Sequence, residues 1–392
     1  MENNVVLYRK YRPKDFSEVV GQEHIIQTLA NSINSGLISH AYLFCGPRGS
    51  GKTTIARIFA KAVNCERSED RRSIVPVEAG RRLVPGESNS SKIPCNTCNS
   101  CLEIMQLKSM DLVEIDAASH TGVDEVRELI SGIKFAPVKS KYKIFIIDEC
   151  HQLSKAAANA LLKTLEEPPQ HAIFILATTE AHKMLPTIIS RCQRFDFKRL
   201  HVPQIIEKLK FIAKKEHVAF EDGALPLIAL NARGSFRDAE SLLDKCMQFS
   251  GKADGKTTTI SVAQIEELLG IVQVGKISGL VDLLLEKNTK EAILFLNSLA
   301  EDGIDLAEFA KTLVFYLRQM MLLKINPDFS PVLNSGLSKE EIETMVSQTE
   351  KLTEKEIQTW LQLFIDAENN MKYAIILQLP LELAIVDITY KQ

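Results

Sequence analysis

The residues with the clearest chemical potential form the segment GPRGSGKT at positions 46–53. This G-x-x-x-x-G-K-[ST] pattern is typical of a loop whose glycines let backbone N–H groups turn toward phosphate oxygens. The apolar run AYLFCG leads into the loop and the helical pattern TIARIFAKA follows it, which is the context that the motif requires. The sequence therefore predicts a triphosphate site, with the positive end of the following helix facing the phosphates.

Two side chains of this loop have distinct predicted roles. Lys52 is expected to reach the β- and γ-phosphates of ATP, and the Thr53 hydroxyl is expected to ligate Mg²⁺. The remaining contacts to ATP are expected from the loop and the first helical turn. The full set of predicted loop residues is Gly46, Pro47, Arg48, Gly49, Ser50, Gly51, Lys52, Thr53 and Thr54.

An acidic pair ends a second apolar run, KIFIIDECH, at 143–151. Asp148 is predicted to hold the Mg²⁺ shell, and Glu149 is predicted to orient and deprotonate an attacking water. His151 completes a DExH-like string that also occurs in helicases. Because no other helicase motif accompanies it, we interpret His151 as an ordinary residue that follows the acidic pair.

Half of the eight cysteines cluster in one region, as Cys65, Cys95, Cys98 and Cys101. Four thiolates suit a tetrahedral structural zinc site, and four protein ligands leave no open position for catalysis. The alternative is a set of reduced thiols without metal. The other cysteines are interpreted as small buried residues, namely Cys45, Cys150, Cys192 and Cys246.

The composition is that of an ordinary globular protein, with 392 residues, 45% hydrophobic residues and a net charge of −3. A chain of this length is expected to form two or three domains. The charge excludes a bulk basic surface for nucleic acid, so DNA contacts would come from a local patch. No apolar run reaches the roughly 20 residues that cross a bilayer, and no signal peptide is recognisable. We expect a cytoplasmic protein without a membrane partner.

Short apolar runs alternate with helical patterns up to about residue 200, which predicts a parallel α/β sheet. The four predicted strands are 41–46, 111–117, 143–149 and 172–179. Strand signals then stop. Residues 66–94 read as a surface insertion and 250–260 as a linker. The final segment is helical, with one predicted buried face formed by Leu306, Phe309, Ala310, Leu313, Leu317 and Met320.

Five further segments resemble the gamma/tau clamp-loader family of bacterial DNA polymerase III, a branch of the AAA+ ATPases. They are YRKYRPKDFSEVVGQEHI, DECHQLSKAAANALLKTLEEPP, LATTE, LPTIISRCQRF and GSFRDAESLLD. The resemblance covers most of residues 5–250. It implies an AAA+ P-loop domain at 1–199 with a zinc module at 65–101, a helical lid at 200–250 and an all-α oligomerisation domain at 262–392.

The resemblance also implies roles for individual residues. Thr178 corresponds to the sensor-1 position near the γ-phosphate, and Arg191 to the arginine finger that a neighbouring subunit receives. Arg237 corresponds to sensor 2, which contacts the ATP of its own chain. The residues implied to border adenine and ribose are Tyr8, Arg12, Pro13 and Val20. His120 stands where the family commonly has arginine, which weakens a DNA-contact role there.

The implied activity is ATP hydrolysis that loads a sliding clamp onto primed DNA during replication, by a subunit that does not itself polymerise. The implied partners are delta- and delta-prime-type subunits, further copies of this chain, the clamp and primed DNA. The chain stops near the end of its third predicted domain, so a gamma-like short form is expected.

Two other functions remain open at this point. One is a scaffold subunit that binds nucleotide without turnover, which an intact Lys52, Glu149 and Arg191 disfavour. The other is a different AAA+ remodeller, such as a branch-migration motor or an Orc-like initiator. The cysteine knuckle after the phosphate-loop helix favours the clamp loader.

Overall fold

The computed structural model describes residues 5–69, 93–119, 131–249, 259–269, 273–326 and 339–390. His120, most of the predicted 66–94 insertion and most of the predicted 250–260 linker lie outside these ranges. The chain divides into two compact units. The first comprises Met1–His217 and Ile228–Lys245, and the second comprises Val218–Leu227 and Cys246–Gln392.

A five-stranded parallel sheet forms the centre of the first unit, in the order β2-β3-β4-β1-β5. The strands are β1 (Ala41–Cys45), β2 (Leu112–Asp116), β3 (Lys143–Asp148), β4 (Ala172–Thr178) and β5 (Gln193–Asp196). The prediction of a parallel α/β sheet is confirmed. β5 was missed because it is only four residues long and three of them are exposed, so it has no continuous apolar run.

Helices cover both faces of this sheet, so its central strands are apolar throughout. Successive residues of β1 enter opposite cores: Tyr42 and Phe44 pack with Phe59 on one face, whereas Leu43 packs with Phe174 on the other. This alternation follows from the two-residue period of a strand. The helices wholly within the first unit are Leu7–Lys10, Glu23–Ser35, Lys52–Val63, Asn99–Met105, Lys155–Glu166, Pro186–Ile189 and Val202–Lys215.

Two further helices, Ala224–Asn231 and Phe236–Phe249, cross the division between the units. The second unit also pairs two short parallel strands, β6 (Ala219–Phe220) and β7 (Thr259–Ile260). The expectation that strands end near residue 200 was therefore wrong at these positions. Strands of two residues leave no periodic signal in a sequence.

The other regular elements described in the second unit are helices. Its helices are Val262–Leu269, Val274–Leu285, Thr289–Glu301, Leu306–Ile325, Lys339–Glu350, Glu354–Met371 and Leu379–Tyr390. All six residues of the face predicted on Leu306–Ile325 are buried, which confirms that periodicity. In the described part of the chain no single helix is long and apolar enough to cross a membrane, and one bent pair, Val262–Leu269 with Val274–Leu285, meets that criterion only jointly.

Asp111 fixes the loop that leads into β3. Its buried carboxylate accepts hydrogen bonds from the backbone N–H groups of Val138, Lys139 and Ser140, at 2.7, 3.0 and 2.8 Å. Burial raises the pKa of Asp111, but the backbone hydrogen bonds outweigh it and hold the pKa below its usual value.

We expect Asp111→Asn to destabilise the first unit by about 2 kcal/mol at pH 7, because it removes a charged acceptor from buried N–H groups. A depressed pKa stabilises the fold above the unfolded value of about 3.9, and this contribution is lost as pH falls through the folded value. The difference in unfolding free energy between the parent and Asp111→Asn should therefore become smaller below about pH 4. Urea unfolding monitored by far-UV circular dichroism measures this difference, and Asp196→Asn, at an exposed aspartate, is the control. Equal stability at pH 7 would contradict the prediction.

Candidate functional site

The predicted phosphate loop connects the end of β1 to the helix Lys52–Val63. Gly49 and Gly51 have φ values of 73° and 95°, in the left-handed region that favours glycine. A Cβ on Gly49 would also lie 1.9 Å from the Ser235 hydroxyl oxygen. The positive φ therefore favours glycine at both positions, and the proximity of Ser235 also excludes a side chain at Gly49.

Lys52 lies across this loop. Its buried Nζ donates to the carbonyl oxygens of Gly46 at 2.8 Å and Pro47 at 3.0 Å. Burial lowers the pKa of Lys52, whereas the nearby Glu149 and Asp148 raise it. The ammonium therefore lies in a partly desolvated position where a phosphate would supply compensating charge.

The Thr53 hydroxyl donates to the Asp148 carboxylate at 2.7 Å, across 95 residues of sequence. This contact brings the phosphate loop and the acidic strand end together at the carboxyl edge of the sheet, where open α/β sheets bind ligands. A hydroxyl and a carboxylate are the oxygen donors that Mg²⁺ prefers. The residues present thus fit a magnesium ion.

Glu149 follows Asp148 with a φ of 47°, which is uncommon for a residue with a side chain. Its Oε2 accepts hydrogen bonds from the N–H and the hydroxyl of Thr179, at 3.2 and 2.9 Å. His151 Nδ1 lies 3.5 Å from the same oxygen. The carboxylate therefore lies beside the end of β4.

Thr178, the predicted sensor, is fully buried. Its Oγ1 lies 3.0 Å from His151 Nδ1 and accepts a hydrogen bond from Glu180 N–H at 3.0 Å. Thr179, which the sequence interpretation missed, contacts Glu149, and the γ-phosphate role of Thr178 stays a prediction. The doubled threonine in LATTE was the available signal. Thr178 ends β4 and Thr179 directly follows it, and consecutive residues of an extended chain face opposite sides, so one position decides which hydroxyl contacts Glu149.

Arg191 follows the short helix Pro186–Ile189 and is partly exposed. Its guanidinium donates to Glu166 Oε1 at 2.6 Å and to the Thr187 carbonyl at 2.8 Å. Neither of these partners belongs to the phosphate loop. The guanidinium is thus partly exposed and bound within its own chain, and its role on a neighbouring subunit stays a prediction.

One face of the helix Phe236–Phe249 lies against the N-terminal segment. The Arg237 guanidinium is 5.1 Å from the centre of the Tyr8 ring, a cation–π distance, and the Leu7 N–H donates to Asp244 at 3.4 Å. Burial lowers the pKa of Arg12, and the nearby Arg57 and Arg237 contribute to this shift. Of the other predicted base-edge residues, Pro13 and Val20 are half-buried.

Ser235, at the start of this helix, was also missed by the sequence interpretation. Its hydroxyl accepts from the Asp238 N–H at 3.2 Å, as a helix N-cap does, and its side chain occupies the space beside Gly49. The serine in GSFRD signals a helix start, but its proximity to the phosphate loop depends on tertiary structure.

The four clustered cysteines form a second site. Their sulfur atoms all lie within 4.8 Å of one another. A tetrahedral zinc with Zn–S bonds of about 2.3 Å has sulfur separations of about 3.8 Å, so small adjustments would accommodate the metal. The N–H of Cys98 donates to the Cys95 sulfur at 3.3 Å, and the hydrogen bond between Cys65 and Cys101 lowers the pKa of Cys65 and raises that of Cys101. The donor set therefore fits zinc.

The remaining cysteines agree with the prediction in most cases: Cys45, Cys150 and Cys246 are buried, whereas Cys192 is half-buried.

Three family models match successive parts of the chain. Residues 21–201 match "DNA polymerase III, delta subunit", residues 204–252 match "DNA polymerase III clamp loader subunit, ATPase lid domain", and residues 260–392 match "DNA polymerase III subunits gamma and tau domain III". The parallel sheet with its phosphate loop, followed by a lid and a helical domain, defines the class of AAA+ P-loop ATPases.

Curated relatives identify the branch of this class. DNA polymerase III subunit tau of Bacillus subtilis is 42% identical over 386 residues, which are 97% of this chain and 62% of that protein. Subunit gamma of Buchnera aphidicola from Acyrthosiphon pisum is 32% identical over 385 residues, 98% of each chain. The chain belongs to the DNA polymerase III gamma/tau family.

The chain spans somewhat over half the length of the first tau relatives, at 62% for the Bacillus subtilis protein and 53% for that of Escherichia coli. Among solved structures, the Thermotoga maritima RuvB Holliday junction branch migration motor aligns with a TM-score of 0.46 and 19% identity. That alignment covers 75% of this chain and 86% of the RuvB chain.

Glu240 lies one helical turn beyond Arg237 and is buried. Burial raises the pKa of Glu240 to about 7, against the opposing effect of Lys208 and Arg12. Because the folded pKa exceeds the unfolded value of about 4.3, this group's contribution to stability is present below that value and lost as pH rises toward 7.

We expect Glu240→Gln to become progressively more stable than the parent as pH rises from about 4.3 to 7, by at most about 1.4 kcal/mol per pH unit, and the difference to level off above that range. Glutamine has nearly the same shape but never ionises. Chemical unfolding at several pH values measures the difference, with the exposed Glu167→Gln as a control that should show none. A difference that does not vary with pH would refute the assignment.

Proposed function

We propose that this chain is an ATP-hydrolysing clamp-loader subunit that helps place a sliding clamp on primed DNA. The observation that carries the proposal is the 2.7 Å contact between Thr53 and Asp148, which joins the phosphate loop to the acidic strand end. Family membership supports the clamp-loading role. In this proposal the chain hydrolyses ATP, and a different subunit polymerises DNA.

In the proposed reaction the phosphate loop binds the triphosphate and the Lys52 ammonium leaves the carbonyls of its own loop for the phosphates. Thr53 and Asp148 would hold Mg²⁺, which neutralises phosphate charge. Glu149 orients and deprotonates the attacking water. Thr178 is proposed to respond to the γ-phosphate, and Thr179 is proposed to position the Glu149 carboxylate that it contacts.

Arg191 is proposed to act on a neighbouring subunit's ATP, because its contacts in this chain lie outside the phosphate loop. Arg237 is proposed to contact the ATP of its own chain. Its cation–π contact with Tyr8 links the lid helix to the base-edge segment. Bound ATP would stabilise the position of the lid helix in which Arg237 contacts the nucleotide.

The proposed domains are the nucleotide-binding domain at 1–199, the lid at 200–250 and the oligomerisation domain at 262–392. The proposed partners are delta- and delta-prime-type subunits, further copies of this chain, the clamp and primed DNA. We propose a cytoplasmic location, because replication in bacteria takes place there.

We expect Lys52→Ala to abolish ATP binding, since it removes the charge that faces the phosphates. Arg191→Ala should retain binding but lose turnover by about 10³-fold or more, because a trans arginine acts only in the transition state. Fluorescent-nucleotide titration measures binding. Steady-state hydrolysis with clamp, primed DNA and delta-type subunits measures turnover.

Arg194→Ala, which removes an exposed arginine three residues away, is the matched control and should behave as the parent. Normal clamp loading by Arg191→Ala would overturn the trans role. Nucleotide binding without DNA-stimulated hydrolysis in the parent assembly would favour the scaffold function instead.

We also propose that the four cysteines hold one structural zinc. Metal analysis of protein purified without chelator should give one zinc per chain, and Cys98→Ser should lower this ratio. Cys246→Ser, at a buried thiol outside the cluster, should leave it unchanged. A metal-free parent would rule the site out.

A further inference from the structure

Lys61 is a buried cation that the proposed ATP chemistry does not use. It lies in the last turn of the helix Lys52–Val63, and its side chain is 3% exposed. Burying an ammonium costs several kcal/mol unless other groups compensate the charge. We therefore ask which negatively charged group compensates the Lys61 ammonium.

The direct partners of Lys61 are uncharged. Its Nζ donates to the side-chain oxygen of Asn96 at 2.7 Å and to the backbone carbonyl of Lys14. Burial lowers the pKa of Lys61, and the nearby Cys101, Asp15 and Glu18 oppose this effect. One of these, Cys101, belongs to the proposed zinc site.

Asn96 connects Lys61 to the cysteine knuckle. It lies between Cys95 and Cys98 and has a φ of 56°, the left-handed conformation that asparagine tolerates better than most residues. Cys65 follows Lys61 by four positions, just beyond the helix end. The lysine therefore binds the cysteine knuckle through Asn96, which directly follows Cys95.

Lys14 connects Lys61 to the nucleotide site, because it directly follows Arg12 and Pro13 of the proposed base-edge segment. The other end of the helix carries Lys52 of the phosphate loop. Twelve helical residues span about 18 Å, so the cysteine cluster cannot take part in the chemistry. Its influence on ATP must act through such structural contacts.

We propose that Lys61 is a positioning residue that faces a zinc tetrathiolate and ties the knuckle to the base-edge segment, so that zinc binding supports ATP binding. Zn²⁺ with four thiolates has a net charge of about −2, which the Lys61 ammonium partly neutralises. The inference rests on the zinc and ATP sites proposed above. Groups around a metal site commonly change its affinity by about 10- to 100-fold.

The test compares the parent with Lys61→Met, which retains much of the side chain's length and removes the charge. Lys163→Met, at an exposed helical lysine, is the matched control. Zinc transfer to a chromogenic chelator should be at least about 10-fold faster in Lys61→Met than in the control. Its affinity for a fluorescent ATP analogue should fall, and zinc removal should weaken the parent's affinity but not lower the variant's further.

Asn96→Gly provides a second variant, because glycine accepts the positive φ while removing the acceptor for Lys61. Like Lys61→Met, it should transfer zinc faster and bind the ATP analogue more weakly than the parent. If Lys61→Met does not fold, the Asn96→Gly result tests the inference. Parent-like zinc transfer and ATP affinity in the folded variants would overturn the inference alone. A parent that contains no zinc would overturn the zinc site, and a parent that binds no ATP would overturn the proposed function.

Discussion

The hydrogen bond between Thr53 and Asp148 depends on the order of strands in the sheet. β4 lies between β1 and β3, and all three are parallel, so the loop after β1 and the acidic end of β3 meet at one edge. The apolar side chains that fill both faces hold these strands in register. Mispairing by a single residue would turn the Asp148 side chain to the opposite face of the sheet.

Several buried charges in the first unit lie near the proposed ligand sites. Among the described residues, the Lys52 ammonium donates to two carbonyls of its own loop and lies near Asp148 and Glu149. Lys61 lies between two neutral acceptors. A fold that buries such cations loses solvation energy that a triphosphate or a tetrathiolate can compensate. If the proposed ligands bind, their binding would stabilise this unit.

The two groups assigned to turnover are both held by contacts within the chain. Thr179 binds the Glu149 carboxylate, and Glu166 binds the Arg191 guanidinium. In the proposed reaction these contacts are exchanged for contacts to water and to a neighbour's nucleotide. Such an exchange would make hydrolysis depend on assembly.

The sequence alone determined the features encoded by neighbouring residues: the phosphate loop, the acidic strand end, the cysteine knuckle, the buried face of Leu306–Ile325 and the family. Glycine spacing, thiol spacing and helical period are local properties, so they can be recognised in the sequence without a structure. Only the tertiary structure decided which threonine of the doubled pair contacts Glu149, and it alone placed Ser235 beside Gly49 and Lys61 between Asn96 and Lys14. These contacts join residues from separate segments, and their geometry depends on strand register and helix packing rather than on residue type.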